Sequence, residues 1–560
     1  MKRILFTAIA ITLFFNNTFG QQNWTKKATK SVFTLKTFAS DGTMLGSVNG
    51  FFIGSNGEAV SCYSPFVGAV KAVIIDSQGK EMNVESILGA NETYDVIKFR
   101  VEGKRTAALP IAEETVAEGS DVWMLPYCSN PKTSMAIKGN ISKTEIFQKK
   151  YTYYTININL PKDGNSISSP VLNDKGEVVG IIQQSSKANE SIYYAVSAEF
   201  AKGLKTTGLS INETALKRID IKKELPDELE QAILTMYVAG STLDSAKYVD
   251  LINDFIVKFP NAADGYIYRA QMNANANKFS DAERDMEQAL KVSDKKDDIH
   301  YNYANLIYSK ELYKKDIPYE NWNLDKAVTE TDAAFAINPI PVYRQLKAEI
   351  RFTQKHYDEA YGIYENLINS GTNTAEIYFA AARCKEMLND TTTMIALLDS
   401  AVNTFSKPYL KNAAPYLLAR AQALTQSGKF RAAISDYNDY EQLMGNQLNA
   451  NFYYIRSLIE IDGHIYQLAL NDINKAIEKD PQNVLYYTTK ASIEINVGLF
   501  DDAIKTAGQC IELDDKNNEG YLFLGLAQCL SGNRTEGIKN LQKAKELGDE
   551  QAQEFIEKYK

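Results

Sequence analysis

Two patterns of hydrophobic and polar positions follow each other along the chain of 560 residues. From Ser31 to about Phe200, short runs of β-branched and aromatic residues alternate with turn-forming residues, which is typical of strands. The predicted strands are Ser31–Phe38, Gly50–Ile53, Ala72–Ile75, Val96–Val101, Asp121–Leu125, Tyr153–Asn159, Val178–Ile182 and Tyr193–Val196. Regular short strands with almost no helical periodicity predict a β-barrel or a β-sandwich.

Beyond this region the hydrophobic spacing becomes helical and repeats about every 34 residues. One position in the second helix of each pair, usually small, marks the period: Tyr248, Ala282, Ala327, Ala360, Met394, Ala433, Ala469, Ala503 and Gly537. Twelve residues earlier the chain is again small in seven pairs, at Ala270, Ala348, Ala382, Ala421, Ser457, Ala491 and Gly525. Small residues at both positions predict that the paired helices cross closely. The longest interval, between Ala282 and Ala327, predicts an insertion near Asp316–Trp322.

This period resembles that of the tetratricopeptide repeats (TPR). The resemblance implies an all-α superhelical solenoid of eight or nine repeats with a concave face lined by the first helices. Polar and aromatic positions expected on that face form a candidate peptide-binding groove: Gln271, Glu349, Arg383, Gln422, Thr425, Tyr454, Ser492 and Asn496. Amides, hydroxyls and tyrosines suit hydrogen bonding to an extended peptide, although ordinary solvated surface explains any one of them equally well.

Six segments of the first region resemble, in the right order, the trypsin-like serine proteases of the HtrA/DegP type. They include Asn49–Gly57, Tyr94–Phe99 and Gly119–Leu125, and then Gly164–Asn173 at the nucleophile loop of that family. The resemblance implies an all-β double barrel. The predicted fold is therefore a multidomain chain, a trypsin-like double barrel followed by a TPR solenoid.

The catalytic positions of that family are read onto this chain by the resemblance. The histidine position falls on Ser64, and the aspartate position falls on Thr93, or on Asp95 in a shifted register. The serine position falls on Ile167 when counted back from Pro170, or on Ser166 when counted forward from Gly164.

The general base of a serine protease is absent from this region. The only histidines are His300, His356 and His464, and a serine at position 64 cannot take up a proton near neutral pH. A serine–lysine dyad, with Lys162 beside Ser166 or Ser168, is the remaining catalytic alternative. Because the base is missing, and because Ile167, Ser168 and Ser169 replace the glycines of the oxyanion loop, we expect an inactive pseudoprotease.

The composition and the N-terminal segment limit the classes of partner and the cellular compartment that can be expected. Met1–Gly20 has the basic start and short apolar stretch of a signal peptide, which predicts export to the periplasm or beyond without a transmembrane segment in the mature chain. Residues 206–560 carry 39 lysines and arginines against 52 acidic residues, a net charge of −13, which argues against nucleic acid. The five cysteines form no CxxC motif and no cluster with histidine, so we expect neither a metal nor a cofactor.

The predicted organisation is a signal peptide at 1–20, a trypsin-like barrel domain at 21–205, a linker at 206–230 and a TPR array at 231–560. The leading hypothesis is an exported, non-catalytic scaffold that binds partner proteins or extended peptides. One alternative is a peptidase with a non-standard active site whose repeats recruit substrate. Another is a chaperone-like subunit of an envelope or secretion complex.

Overall fold

The computed structural model describes residues 23–103, 105–130, 134–161, 166–183 and 191–560. The predicted signal peptide and Lys162 lie outside these residues. Backbone contacts divide the chain into two compact units, Met1–Asn273 and Ala274–Lys560, and the division falls inside one helix.

Two closed antiparallel barrels of six strands each form most of the first unit, as the sequence predicts. The strands of the first barrel are β1 Val32–Phe38, β2 Met44–Phe52, β3 Glu58–Ser61, β4 Lys71–Ile75, β5 Glu81–Asn91 and β6 Val96–Val101. Those of the second are β7 Asp121–Met124, β8 Ile137–Phe147, β9 Tyr151–Ile158, β10 Pro170–Leu172, β11 Val178–Gln183 and β12 Ile192–Ser197. The strand orders are β1-β2-β3-β6-β5-β4 and β10-β11-β12-β9-β8-β7.

Several strands differ from the prediction: β2 begins well before Gly50, and β3, β5, β8 and β10 have no counterpart among the predicted strands. β2 begins at Met44 rather than Gly50, because its largely exposed first half completes a long ladder in which Val32 faces Phe51 and Phe38 faces Met44. β5 was not predicted, although Met82 and Val84 are buried while the residues between and beside them are exposed. That alternation is the signature of a strand with one solvated face.

Three clusters of buried hydrophobic side chains form the cores of the two barrels and the contact between them. One fills the first barrel around Phe33, Phe66 and Phe99, and another fills the second around Ile141 and Ile156. The third cluster joins residues of both barrels and therefore forms their interface.

The segment predicted as a linker packs against the first barrel. Its side chains Leu216, Ile219 and Ile221 are buried in the core of that barrel. Its backbone is also tied there, since the amide of Asp220 donates to the carbonyl of Ala69 at 2.8 Å. This segment is therefore part of the folded first barrel unit and contributes to its core.

The rest of the chain is helical. In chain order the helices are α1 Thr25–Ala28, α2 Ala198–Gly203, α3 Thr214–Lys217, α4 Leu229–Ala239, α5 Ser245–Lys258, α6 Ala263–Asn275, α7 Phe279–Val292, α8 Lys296–Tyr313, α9 Leu324–Ile337, α10 Pro341–Thr353, α11 Tyr357–Asn369, α12 Ala375–Met387, α13 Thr391–Asn403, α14 Ala414–Gln426, α15 Phe430–Met444, α16 Ala450–Asp462, α17 Tyr466–Lys479, α18 Val484–Asn496, α19 Phe500–Leu513, α20 Asn518–Leu530, α21 Arg534–Glu546 and α22 Ala552–Tyr559. From α8 onward each helix packs mainly on its neighbours in sequence, which is consistent with a solenoid.

The small residues that mark the period lie where paired helices meet. Ala348, Ala360, Ala491 and Ala503, for example, are fully buried. A close crossing joins α20 and α21, where a Cβ added to Gly525 would lie 2.7 Å from the carbonyl oxygen of Gly537. Only glycine allows these two backbones to approach so closely.

The insertion between α8 and α9 is a packed loop. Trp322 is 1% exposed and its ring lies 5.6 Å from that of Phe279. Glu283 accepts hydrogen bonds from Tyr319 at 2.5 Å and from Asn321 at 2.9 Å. The extra residues therefore add to the core of this region, which explains how the longer interval is accommodated.

Within the described ranges no helix is long and apolar enough to cross a membrane.

Candidate functional site

The first two protease-like positions meet just after β3 and just before β6. Ser64 begins a short 3-10 turn that follows β3, and Asp95 lies in the turn that leads into β6. The Asp95 carboxylate accepts a hydrogen bond from the Ser64 amide at 2.7 Å and another from the Ser64 hydroxyl at 3.1 Å. Thr93, the other candidate for the aspartate position, is exposed in the same turn and has no such contact with Ser64. The structure therefore brings Asp95, not Thr93, to Ser64.

The loop before β10 presents an isoleucine rather than a serine. Ile167 is partly exposed, whereas Ser166 is 4% exposed and both Ser168 and Ser169 are fully buried. Ser168 has a φ of 62°, a left-handed conformation that costs a residue with a side chain about 1–2 kcal/mol. Glycine would adopt this conformation without that cost, whereas serine is kept in it by the contacts around it.

The buried serines join the two barrels. The Ser168 hydroxyl accepts a hydrogen bond from the Cys62 amide at 2.9 Å and also contacts the Cys62 thiol. The Ser169 hydroxyl accepts one from the side-chain amide of Asn49 at 2.9 Å. Cys62 and Asn49 belong to the first barrel and the serines to the second, so these hydroxyls satisfy buried donors across the interface.

The group nearest to Ser168 is a poor base. Burial raises the pKa of the Cys62 thiol to about 12, and the charge of Asp95 adds to this effect, so the thiol stays protonated near neutral pH. In the part of the chain that the structure describes, no carboxylate or amine lies within hydrogen-bonding distance of the Ser168 hydroxyl. A serine hydroxyl is a weak nucleophile unless such a base takes its proton.

Sequence reasoning missed an aromatic cluster beside these residues. Tyr94 lies 4.3 Å from Phe147 between ring centroids, and Phe147 lies 5.1 Å from Phe200. The Gln183 side chain donates to the carbonyl of Tyr94 and accepts from the Tyr153 hydroxyl at 2.5 Å. The cluster fixes the residue next to Asp95 against the second barrel. The available signal in the sequence was the high aromatic content of β9. It was missed because the sequence analysis looked only for catalytic positions.

The predicted groove residues are distributed over both compact units. Gln271 lies in the first unit, and the other seven lie in the second. Arg383 and Gln422 are exposed and line one small cavity of about 140 Å³ between α12 and α14. The Arg383 guanidinium lies 4.8 Å from the centroid of the Phe352 ring, which orients it by a cation–π contact. These two side chains are the pair that the structure brings together.

Glu349, Thr425 and Tyr454 have local partners. Glu349 accepts from the Gln345 amide at 3.1 Å, and the Thr425 hydroxyl donates within its own helix. Tyr454 packs on Tyr486 with 5.1 Å between ring centroids. On α18, Ser492 is half-buried and Asn496 is exposed. Asn496 therefore keeps its side chain available to solvent.

The described residues contain no group of three or more histidine, cysteine or acidic side chains that could hold a metal ion. Four of the cysteines, Cys62, Cys384, Cys510 and Cys529, are buried free thiols. Burial also raises the pKa of Cys384 to about 12, so this thiol is unreactive near neutral pH.

Comparison with known proteins agrees with the barrels. Residues 48–181 match the family profile described as a trypsin-like peptidase domain. The chain contains a trypsin-like peptidase domain. The match covers Ser64, Asp95 and the loop at Ile167, and it ends within β11. No curated protein is significantly similar in sequence.

Solved structures similar to the chain include proteases. The active form of the Rv3671c protease from M. tuberculosis is 17% identical, with a TM-score of 0.28, over 33% of this chain and 82% of that one. The serine endoprotease from Yersinia pestis is 17% identical, with a TM-score of 0.27, over 34% of this chain and 65% of that one.

Proposed function

We propose that the peptidase domain is catalytically inactive and serves as a rigid binding module. The single observation that supports this most strongly is the loop before β10, in which Ile167 is partly exposed while the Ser168 and Ser169 hydroxyls join the barrels. A hydroxyl that is buried and already bonded to a backbone amide is not available to attack a substrate carbonyl. The carboxylate of Asp95 is likewise occupied by Ser64, where a protease would orient a histidine.

Inactivity is tested with the purified full chain, unfolded casein and a serine-directed phosphonate. We expect no casein turnover and no adduct by intact mass. An adduct mapped to Ser166 or Ser168 would overturn the proposal, and its loss in Lys162→Ala would identify the serine–lysine dyad instead. Ser169→Ala is the matched control, since it removes a neighbouring hydroxyl that the dyad hypothesis does not use.

We further propose that the helical region, assigned to residues 231–560, is a TPR array that recognises partner proteins or extended peptides. The buried small residues at helix crossings support the repeat assignment. The exposed Arg383 and Gln422, which converge on one cavity, support binding through the face that carries them. Aromatic and arginine side chains dominate many protein interfaces, so Arg383 and Tyr454 are the proposed anchors. Together these assignments make the exported chain a non-catalytic scaffold.

The groove is tested by crosslinked capture from the native envelope with quantitative mass spectrometry. Arg383→Ala combined with Tyr454→Ala should lower partner recovery while leaving far-UV circular dichroism unchanged. The control pair Arg431→Ala and Tyr313→Ala removes the same residue types from other exposed positions. If recovery survives the groove variant but is lost in Ile167→Asp, the barrel cleft is the binding surface and the groove assignment is wrong.

A further inference from the structure

A large cavity lies within the first compact unit, away from the protease-like positions. Its volume is about 780 Å³, within the range of about 300–1,000 Å³ that is usual for small-molecule sites. One wall is the segment 206–226 that covers the first barrel. The other wall is formed by α4, α5 and the turn between them.

The two walls are tied together at separate points. The amide of Gly208 donates to the side-chain oxygen of Gln231 on α4 at 2.9 Å. At another point the Lys258 ammonium on α5 donates to the carbonyl of Leu225 at 2.6 Å. Because the segment 206–226 is also buried against the barrel core, it cannot move freely toward the helices. The space between the walls is therefore a feature of the folded unit.

Most of the acidic groups that line the cavity are already neutralised. Asp254 pairs with Lys222 at 2.7 Å, Asp220 pairs with Lys247 at 2.9 Å, and Glu224 pairs with Arg100 at 2.7 Å. The remaining carboxylate, Asp250, is exposed. The lining lysines Lys217 and Lys223 have no carboxylate within ion-pairing distance among the described residues. The lining as a whole holds four lysines and four carboxylates and is formally neutral, but Lys217 and Lys223 are lining cations without an ion-pair partner in the described part of the chain.

Of the two lysines without an ion-pair partner, Lys223 is the more buried. It is half-buried, and its ammonium donates to the carbonyl of Ile219. Burial lowers the pKa of Lys223, with Asp220 acting in the opposite direction. A partly desolvated ammonium gains most from an anion that brings its own negative charge into the site.

The rest of the lining is suited to a hydrocarbon chain. Ile211, Leu243 and Leu251 are partly exposed and line the cavity. Burying such apolar surface contributes about 25 cal/mol per Å². We propose that this cavity binds a small amphipathic carboxylate of the fatty-acid type, with its carboxylate at the Lys223 ammonium and its hydrocarbon chain along Ile211, Leu243 and Leu251. The site is independent of the scaffold function proposed above.

The test measures dodecanoate binding to the full chain by isothermal titration calorimetry near neutral pH. We expect saturable binding that weakens about tenfold or more in Lys223→Met, since a charge-assisted contact is lost. Lys175→Met, which removes an exposed lysine in a turn of the second barrel, should bind as the wild type does. Equal affinities of the Lys223 and Lys175 variants, equal binding of dodecanol, or no binding of dodecanoate would each overturn the proposal.

A second measurement needs no variant. Lysines of the wild-type chain are labelled with an amine-reactive ester, with and without dodecanoate, and the modified sites are quantified by peptide mass spectrometry. Dodecanoate should protect Lys223 at least severalfold and leave Lys175 unchanged. Equal protection of both lysines, or of neither, would refute the assignment even if Lys223→Met failed to fold.

Discussion

Replacing Gly525 with alanine tests the helix crossing at the end of the helical region. The added Cβ would lie 2.7 Å from the carbonyl oxygen of Gly537 and 2.8 Å from the backbone nitrogen of Leu541. Carbon atoms in ordinary contact are about 3.5–4.0 Å from their neighbours, so α20 and α21 must move apart. Both contacted atoms belong to backbone, which cannot turn aside as a side chain could.

The magnitude follows from a comparison with a second glycine. Gly362 also lies in the middle of a helix, α11, but a Cβ added there meets nothing within 4 Å. Alanine is favoured over glycine in a helix by about 1 kcal/mol, a gain that both substitutions share. Overpacking costs about 1–3 kcal/mol and applies to Gly525 alone. We therefore expect Gly362→Ala to stabilise the chain, and Gly525→Ala to be less stable than Gly362→Ala by about 1–3 kcal/mol.

The effect is local, so a local measurement is appropriate. Hydrogen–deuterium exchange read by mass spectrometry gives the free energy of opening for peptides of α20 and α21 in one variant and of α11 in the other. Gly362→Ala should raise the free energy of opening of α11 by the helix-propensity gain. Gly525→Ala should change the free energy of opening of α20 and α21 by about 1–3 kcal/mol less than that. A difference of 1.4 kcal/mol corresponds to about tenfold in exchange rate. Far-UV circular dichroism serves to check that both variants remain helical.

One result would refute the reasoning. If Gly525→Ala slowed exchange in its helices as much as Gly362→Ala does in α11, the close approach of α20 and α21 would be wrong. Gly508→Ala is a further control, because a Cβ at that position in α19 also meets nothing within 4 Å.

Two other predictions concern buried polar groups. Burial, with the charge of Asp472 adding to it, raises the pKa of Glu460 to about 8, so the folded state holds a proton that the unfolded state releases above about pH 4.5. The free energy of unfolding, measured in urea titrations, should therefore fall as the pH rises from 4.5 to 8. Glu460→Gln should flatten this pH dependence, whereas Glu478→Gln, at an exposed position, should not. An unchanged pH dependence in Glu460→Gln would contradict the prediction. Ser168→Ala leaves the buried Cys62 amide without its acceptor and should lower the free energy of unfolding by about 1–3 kcal/mol. Ser168→Gly also removes the acceptor but relieves the positive φ, so its loss should be roughly 1 kcal/mol smaller. A higher melting temperature for the alanine variant than for the glycine variant would refute this order.

Much of the architecture could be predicted from local pattern. Alternation over two residues predicts strands and a period of about 34 residues predicts paired helices, because side-chain periodicity follows directly from backbone geometry. The same rule would have found β5, where Met82 and Val84 alternate with exposed neighbours. The first half of β2 is different. Its residues pair with β1 but do not alternate between buried and exposed positions, so the two-residue rule does not mark them.

The absence of a histidine before position 300 is a property of the sequence alone, and no fold could change it. Which residue stands in for each missing group was decided only by tertiary structure. Asp95 rather than Thr93 reaches Ser64, and Ile167 is more exposed than the serines beside it, because the backbone conformation of a turn decides where each side chain points. The cavity beside Lys223 likewise exists because the segment 206–226 and the helices α4 and α5 pack with space between them. Local periodicity reports only which face of one element is apolar, so it does not record how two elements pack.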